Sequence, residues 1–594
     1  MTQSPNNCGQ LTRSASLKIR DGSPVSSPLR SVLFLLYLAL FFVWVYRWEL
    51  RTWIFLGVSL AFLPTLLLKD RNTSGKKLAG TVERIVSQVR FRSAILASCL
   101  ALALYLAIGY VGGRGFTPHM HDEFAYIFQA KTFAHGRVSF PAPPIPEFFE
   151  SFHVLTEKVY ASKYPPGHAL AILPGVLLGF PILMPIVLSV GSLLLLYLIV
   201  RTIESDLCAL LCVVLFALSP LQVMLATSHL SHTSSLFFLL LFVYLSGCAK
   251  EQRSRFLALA SGVALGIAFL ARPVTALAFA FPFVIRNLVV SINDARKGTW
   301  EGLRCFLASS ISFVAIAGSL LAYNVLVTGD PLRFPWVEYT ERYIPMDTLG
   351  FQHDSQIASQ HNLSPLMTEF NRNYVEPLRR AYSFWGAVKQ FWVQRVPDTI
   401  YVSDDTFGLA ALVPFAFLVP LVPQEKLFLA SAASLFFAYF FYYGGFPRYH
   451  FEVVPFLIYF FIKGTLAFSR ILTKEGSPVL QRFLAFHLMS GVIVALPCNL
   501  VNGISSKQSL TKYHSEFRDL VRNLDGDSKL IFVRYKSDHQ FHYDLINNEP
   551  DLKNSKVIYV HDMGTRNVEL MKCFPDRSFY RFDEAKWKIE RLTD

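Results

Sequence analysis

The chain has 594 residues, of which 53% are hydrophobic and 16% are charged, and its mean hydropathy is +0.37. Soluble domains carry about 25% charged residues, so this composition excludes an ordinary soluble protein and predicts a polytopic α-helical membrane protein. The net charge of +14 does not indicate nucleic-acid binding, because the basic residues lie mainly in short loops between apolar segments, as the positive-inside rule describes. The eight cysteines include no CxxC motif and predict buried free thiols.

The first 92 residues are expected to precede the main membrane module. Residues 1–30 are rich in Ser, Pro and Asn and predict a disordered cytoplasmic tail. They lack the n-region and cleavage site of a signal peptide, so the first apolar segment is expected to stay as an anchor. Residues 31–92 then predict two extra spans, near 31–46 and 52–68, followed by a basic cytoplasmic loop.

Apolar segments of spanning length recur through the rest of the chain, at 93–110, 185–201, 206–220, 232–247, 257–271, 274–290, 305–325, 406–423, 427–443, 450–468 and 483–500. The segment 167–182 contains Pro174 and Pro181 and either crosses the membrane or lies partly in its outer leaflet. Only the second alternative leaves the basic loops 248–256 and 286–304 inside. The positive-inside rule therefore predicts about thirteen crossings, with the N-terminus inside and the C-terminus outside.

Three hydrophilic regions are then expected on the outer face: the loop 111–166, the segment 328–405 and the tail 502–594. The tail predicts a small α/β domain, with strands at 530–533, 557–560 and 578–582 and a helix at 568–572. Its polar residues form either a binding face or an ordinary solvated surface; they are Arg534, His539, His542, Asp562, Asn567, Asp576 and Arg577.

The most informative motif is an acidic pair, Asp122-Glu123, within the segment His121–Tyr126 of the first outer loop. Two carboxylates just beyond an apolar helix are costly at a membrane surface and indicate chemistry there. The apolar residues that follow predict a short amphipathic helix whose N-terminus favours negative charge. An acidic helix start is the simple structural alternative.

Three cationic residues lie in the predicted outer loops. Lys163 precedes Tyr164-Pro165-Pro166, whose prolines fix the backbone, and it is either a phosphate contact or a snorkelling side chain. Arg272 lies at a short outer turn, where a phosphate contact is favoured over a surface role. Arg448 occupies a similar position beside Gly and Pro residues that predict a shaped loop.

Histidines and tyrosines add polar groups to the same face. His229 and His232 are spaced to share one helical face, where they either donate hydrogen bonds at a helix entry or, together with Asp122, hold a metal ion. No zinc signature is present, and no metal or other cofactor is predicted. The expected lining of a substrate pocket is Tyr126, His153, Tyr164, His229 and His232.

These loop motifs resemble those of the GT-C membrane glycosyltransferases, in particular the aminoarabinose transferases and the family 39 protein O-mannosyltransferases. The resemblance is strongest over residues 93–290 and weaker over 330–470. It is carried by Asp122-Glu123-x-x-Tyr126, by Gly136 and by Lys163-x-Pro165-Pro166. It implies a GT-C-like module at 93–501 that moves a sugar from a polyprenyl-phosphate donor to an extracytoplasmic glycan, lipid or protein. The sequence shows no retention signal such as Lys-Asp-Glu-Leu, which favours a bacterial inner membrane over the alternative, a eukaryotic reticulum.

The resemblance also implies roles for particular residues. Asp122 matches the catalytic acid of the family, and Glu123 is either an alternative base or a partner that orients the acceptor. Lys163 and Arg272 match phosphate-binding bases. One departure concerns the second outer loop, where the characterised enzymes commonly place another acid and this chain has histidines.

Two other classes are weighed against a transferase. A polyprenyl-lipid transporter or flippase would carry charges in mid-span and broken helices in corresponding halves, and the sequence shows neither pattern. A non-catalytic scaffold of envelope polysaccharide assembly would use the tail to bind its partner. It would tolerate joint replacement of Asp122 and Lys163.

Overall fold

The computed structural model describes residues 89–113, 116–351, 363–403, 412–473 and 496–592. The predicted spans at 31–46 and 52–68, most of 483–500 and part of 406–423 lie outside the described residues.

The described chain before the tail is mostly helical. Its helices are α1 Phe91–Gly112, α2 His121–Ala134, α3 Pro166–Leu177, α4 Leu183–Val200, α5 Asp206–Leu218, α6 Pro220–Ala226, α7 His232–Gln252, α8 Arg255–Ala271, α9 Pro273–Arg296, α10 Glu301–Thr328, α11 Pro335–Tyr343, α12 Pro365–Phe370, α13 Glu376–Arg380, α14 Phe384–Gln390, α15 Val396–Ser403, α16 Val413–Ala416, α17 Pro423–Tyr439 and α18 Val454–Thr473.

Six of the described helical segments are long and apolar enough to cross a membrane, or seven if the bent pair α5–α6, which turns by 64°, is one span. The six are α1, α4, α7, α9, α10 and the segment Pro447–Phe468, which combines a 3-10 turn with the start of α18. A polytopic helical architecture is therefore found as predicted. The number and orientation of the crossings stay predictions.

The short helix α3 occupies the segment whose crossing was in question. It has 12 residues, about 18 Å at 1.5 Å per residue, and the hydrocarbon core is about 30 Å thick. Alone it is too short to cross. Gly167 brings its first turn against α8, because a Cβ at Gly167 would lie 2.4 Å from the carbonyl carbon of Leu270. This contact sets the Lys163–Pro166 segment beside the turn that holds Arg272.

The first outer loop folds around α2 and a small antiparallel sheet. Its strands are β1 Phe140–Pro141, β2 Val154–Leu155 and β3 Val159–Ser162, in the order β1-β3-β2. The predicted short helix with an acidic start is confirmed as α2, which has Asp122 and Glu123 in its first turn.

The tail forms a four-stranded sheet in the order β5-β4-β6-β7. The elements are helix α19 Leu496–Arg522, strands β4 Lys529–Arg534, β5 Val557–His561, β6 Ser578–Asp583 and β7 Lys588–Arg591, and helix α20 Asn567–Met571. The three predicted strands and the predicted helix are confirmed. The fourth strand and the long helix α19 were not predicted.

The tail sheet is covered on both faces. On one side α19 packs Phe517 and Val521 against Ile531 and Val533. On the other side Phe148 and Phe149 of the first outer loop enter the core beside Leu530, Phe532 and Ile558. Burial of two Phe side chains stabilises this contact by roughly 1.5–3 kcal/mol each. The tail is therefore docked onto the loop that carries Asp122.

Candidate functional site

Asp122 lies in the first turn of α2 and is partly open to solvent. Its side chain is 24% exposed. The hydroxyl of Tyr164 donates to Oδ1 at 2.5 Å, Oδ2 lies 3.5 Å from Nδ1 of His121, and Oδ1 lies 3.7 Å from Nε2 of His153. The carboxylate is thus held from several sides and remains accessible to a ligand.

Two histidines from separate segments meet beside this carboxylate. Nδ1 of His121 and Nε2 of His153 are 2.6 Å apart. His153 has a φ of 68°, a left-handed conformation that non-glycine residues adopt rarely and that clusters at functional sites. That backbone conformation directs the His153 ring to Asp122, and no pattern in the sequence indicates it.

The electrostatics favour an ionised carboxylate between neutral rings. Burial acts to raise the pKa of Asp122, but His153, His121, Arg448 and the Tyr164 hydrogen bond outweigh it and hold that pKa well below its ordinary value. Burial lowers the pKa of His121 to about 3 and that of His153 well below its usual range. At neutral pH only Asp122 in this group carries charge.

Tyr164 is fixed by its neighbours. Tyr126 stacks on it with ring centroids 4.2 Å apart and donates its own hydroxyl to Ser231 at 2.9 Å. Gln129 donates from Nε2 to the Tyr164 carbonyl at 2.7 Å and to the Tyr323 hydroxyl at 2.8 Å. Asp122, Tyr126 and Gln129 lie about one helical turn apart on α2, so this face of the helix holds the Tyr164 segment in place.

Lys163 is a buried cation without a carboxylate partner. Lys163 is only 9% exposed, and its Nζ lies 4.7 Å from the ring centroid of Tyr339. No carboxylate of the described residues comes within 4.0 Å of Nζ. Burial lowers the pKa of Lys163, although Asp347 and Asp122 oppose that effect. A buried ammonium held only by aromatic rings is suited to an anionic ligand.

Arg448 resembles Lys163 in its surroundings. It lies in the 3-10 turn Pro447–Val453, with its guanidinium 4.5 Å from the ring centroid of Phe446 and 5.8 Å from that of Tyr449. Within the described ranges no carboxylate lies within 4.0 Å of it. It acts electrostatically on Asp122, so it belongs to the same site.

Arg272 differs from the other two cations because it is already paired. Its Nε lies 3.3 Å from Oε1 of the buried Glu452. Its guanidinium also donates to Thr275, Ser231 and Tyr439 at 3.2, 3.3 and 3.2 Å. Through these contacts Arg272 holds neighbouring side chains of the site in place. Because its charge is already partly neutralised by Glu452, it is less available to a phosphate than the sequence predicted.

Glu123 does not lie beside Asp122. Its residue is 1% exposed, and Oε2 accepts from the backbone N–H of His229 at 2.8 Å and lies 3.0 Å from Nδ1 of that ring. Oε1 lies 3.1 Å from Nδ1 of His119. Adjacent helical residues point about 100° apart. The pair is therefore split, and Glu123 forms a buried group with His229 and His119, separate from Asp122.

His232 is also buried, but its ring nitrogens meet no hydrogen-bond partner among the described residues. It begins α7 next to Ser231, which receives hydrogen bonds from Tyr126 and Arg272. The structure therefore brings together Asp122, Tyr126, His153 and Tyr164 and separates His229 from them.

Three side chains come close enough for a metal ion to be considered. His121, Asp122 and His153 each bring one ligand atom to within 4.8 Å of the others. Two nitrogens bound to one tetrahedral zinc ion stand about 3.4 Å apart, whereas the two ring nitrogens here are 2.6 Å apart. The arrangement is that of a hydrogen-bonded pair, and we derive no step through a metal.

One contact comes from the tail. Nδ1 of His542 lies 3.0 Å from Nε2 of His121, although 421 positions separate the two residues. The sequence placed His542 only on a generic polar face of the tail. Because no local pattern links such distant positions, no sequence signal could have found this contact.

Comparisons with known proteins found similarity in structure alone. No family model matches the chain, and no curated protein matches it. A crystal structure of ArnT from Cupriavidus metallidurans bound to undecaprenyl phosphate matches with a TM-score of 0.43 and 13% identity, covering 82% of this chain and 93% of that one. The apo structure of the same protein matches with a TM-score of 0.44, 12% identity and the same coverage.

Proposed function

We propose that this protein is a membrane glycosyltransferase that moves a sugar from a polyprenyl-phosphate donor to an acceptor outside the membrane. The observation that supports it best is one ionised, partly exposed carboxylate, Asp122, in electrostatic contact with Lys163 and Arg448. Neither cation has a carboxylate partner among the described residues. A site of this kind offers one base and two anion-binding groups.

The leaving group explains the two cations. When the bond between the sugar C1 and the phosphate oxygen breaks, its electron pair stays on that oxygen, and the phosphate becomes more negative. Lys163 and Arg448 are held by aromatic rings and stabilise that charge without rearranging first. Arg448, as a guanidinium, can also contact two phosphate oxygens at once. No general acid is needed for so good a leaving group.

The acceptor hydroxyl explains Asp122. The carboxylate accepts a hydrogen bond from the hydroxyl and orients its oxygen toward C1. As the new C–O bond forms, the acceptor oxygen becomes positively charged and strongly acidic. Even a carboxylate with a depressed pKa then takes its proton. Asp122 therefore orients the acceptor first and receives the proton late.

The surrounding groups keep this chemistry specific. His121 and His153 are neutral at physiological pH, so they add no positive charge that would draw the donor phosphate away from Lys163 and Arg448. Tyr164 donates to Oδ1, and Oδ2, which accepts no hydrogen bond among the described residues, keeps a lone pair for the acceptor hydroxyl. Arg272, paired with Glu452, donates to the Tyr439 hydroxyl and holds that side chain in place.

The test is donor turnover by purified protein in lipid nanodiscs. A panel of polyprenyl-phosphate hexoses, pentoses and aminopentoses is offered, and release of polyprenyl phosphate is measured. Wild type is expected to release it from at least one donor, and the double variant Lys163→Gln/Arg448→Gln is expected to bind none. If folded wild type binds no donor, the transferase proposal fails. If it binds donor lipid and moves it between leaflets without cleavage, the protein is a flippase.

A further inference from the structure

The tail domain reaches the histidine pair beside Asp122 through His542. His542 lies in a short 3-10 turn, Phe541–Tyr543, and its ring stacks on that of His121 with centroids 5.2 Å apart and planes 22° apart. Phe152 stacks against His121 as well, at 4.7 Å. The tail and the first outer loop thus both hold the ring next to Asp122.

The turn that carries His542 is anchored on both sides. Phe541 packs edge-on against Phe370 at 5.6 Å, and His542 meets the edge of Tyr374 at 5.6 Å. Away from the turn, Nε2 of His561 lies 2.8 Å from the Glu150 carbonyl. These contacts, with the buried Phe148 and Phe149, fix the tail relative to α2. His542 therefore has a defined place in the site.

The three histidines form one chain of hydrogen bonds, His542–His121–His153. A neutral imidazole has one N–H and one acceptor nitrogen, and the bond made by one nitrogen decides which of the two is protonated. His121 uses both of its nitrogens, Nε2 toward His542 and Nδ1 toward His153. The proton of His121 is therefore on Nδ1 if His542 donates, and on Nε2 if His542 accepts.

The position of Asp122 selects between these arrangements. Nδ1 of His121 is the nearer ring nitrogen to the ionised carboxylate, at 3.5 Å, against 3.7 Å for Nε2 of His153. An N–H on the nearer nitrogen is attracted by the carboxylate, whereas a lone pair there is repelled. Nδ1 of His153 has no partner among the described residues in either arrangement, so it does not decide.

We propose that His542 is a positioning residue for the transfer reaction. Its Nδ1–H donates to Nε2 of His121, which places the His121 proton on Nδ1, facing Asp122. That N–H donates to Nε2 of His153 at 2.6 Å and also attracts Oδ2 of the carboxylate, 3.5 Å away, while Tyr164 restrains Oδ1. The tail domain thereby becomes part of the catalytic unit. The consequence for turnover rests on the proposed function, whereas the tautomer of His121 does not.

The tautomer is tested first, by solid-state NMR of full-length protein with ¹⁵N-labelled histidine in lipid. The His121 signals are assigned by comparison with His121→Asn. Wild type is expected to show His121 protonated on Nδ1, because Asp122 and the His542 donor favour the same tautomer. His542→Phe keeps a stacked ring without an N–H and leaves Asp122 alone to favour it, so this variant is expected to show a mixture of the two tautomers. Protonation on Nε2 in wild type, or the same tautomer in both proteins, overturns the proposal whatever the protein's activity is.

Turnover tests the functional half with matched variants. His542→Asn keeps a donor near the position of Nδ1, and His542→Phe keeps the ring alone. We expect kcat to fall roughly 10- to 100-fold in His542→Phe and to stay within about threefold of wild type in His542→Asn, with the KM for donor unchanged in both because Lys163 and Arg448 are intact. The exposed His135 supplies the control, His135→Asn.

The opposite pattern has an equally clear meaning. If His542→Phe keeps wild-type kcat while His542→Asn loses it, the ring packs the tail and does not set the tautomer, and the proposal is wrong. If both variants match wild type, the tail is not part of the catalytic unit. A wild type without turnover on any donor counts against the proposed function, and the NMR result then decides the role of His542.

Discussion

The hydroxyl of Tyr164 donates a 2.5 Å hydrogen bond to Oδ1 of Asp122, joining the two motifs that stand out in the sequence of the first outer loop. The bond holds the Asp122 carboxylate against the Lys163–Pro166 segment. A charge-assisted hydrogen bond of this length is stronger than a neutral one. Asp122 and Lys163 therefore act within one site because Tyr164 ties their segments together.

Removing the Tyr164–Asp122 hydrogen bond is expected to shift the low-pH side of the profile of kcat against pH. Asp122 must be ionised, so activity persists as pH falls until the pKa of Asp122 is reached, well below 3.8 in the wild type. Tyr164→Phe removes one of the groups that lower that pKa. We expect the low-pH side to move to higher pH and kcat to fall about tenfold. The measurement is kcat against pH, with Tyr110→Phe as a control at an exposed position. An unchanged profile in Tyr164→Phe contradicts the role given to this hydroxyl.

The two unpaired cations are expected to control donor binding. A charged hydrogen bond contributes about 1.5–3 kcal/mol, so Lys163→Gln and Arg448→Gln should each raise the dissociation constant for polyprenyl phosphate roughly 10- to 100-fold. Arg272→Gln is expected to lower thermal stability as well, because it leaves Glu452 buried without its partner. Binding is measured by titration of polyprenyl phosphate into protein in nanodiscs, with the exposed Lys586 replaced as control. Equal affinity in Lys163→Gln would remove the phosphate role from that residue.

Glu123 is expected to act on stability. Both of its oxygens are engaged with His229 and His119 in a buried place, so Glu123→Gln should cost about 1–3 kcal/mol of folding free energy and lower the melting temperature in detergent. Asp122→Asn, at a partly exposed side chain, should melt like wild type. If Glu123→Gln melts normally and is inactive, Glu123 belongs to the reaction and its assignment to stability is wrong.

The buried carboxyl of Glu150 is expected to make the folding stability depend on pH. Burial raises its pKa to about 7, although the Ser364 N–H that it accepts opposes the shift. Its unfolded pKa is near 4.5, so between these values the folded state binds the extra proton and stability falls as pH rises. Glu150→Gln should remove that slope and raise the melting temperature above pH 7. The comparison is of melting curves from pH 4.5 to 8. A slope that persists in the variant assigns the effect to other groups.

The sequence predicts the parts of this protein that depend on local pattern. The acidic start of α2 follows from a carboxylate pair before an amphipathic run, and the tail strands follow from short β-branched runs such as Leu530–Val533. Helical geometry by itself separates Asp122 from Glu123, but which of the two faces the site depends on how α2 packs against its neighbours, and no local pattern specifies that. The pairing of Arg272 with Glu452 joins segments that are far apart in the chain.

Other features depend on tertiary context in the same way. The left-handed backbone of His153 lies in the turn Ser151–Val154 that leads into β2, and the sequence offers no glycine there to mark it. His542 reaches His121 only because the whole tail sheet packs on Phe148 and Phe149. These residues shape the site as much as the motif residues do. They can be recognised only once the fold is known.

In the proposed reaction Asp122 receives the acceptor proton during sugar transfer, and a comparison of three proteins tests this role directly. Wild type, Asp122→Asn and the exposed control Asp538→Asn are loaded with the same polyprenyl-phosphate sugar in nanodiscs, and donor binding and release of polyprenyl phosphate are measured together. We predict equal donor binding in all three proteins, turnover in wild type and Asp538→Asn, and a loss of at least about 100-fold in Asp122→Asn. Wild-type turnover in Asp122→Asn would contradict the assignment of Asp122 as the base.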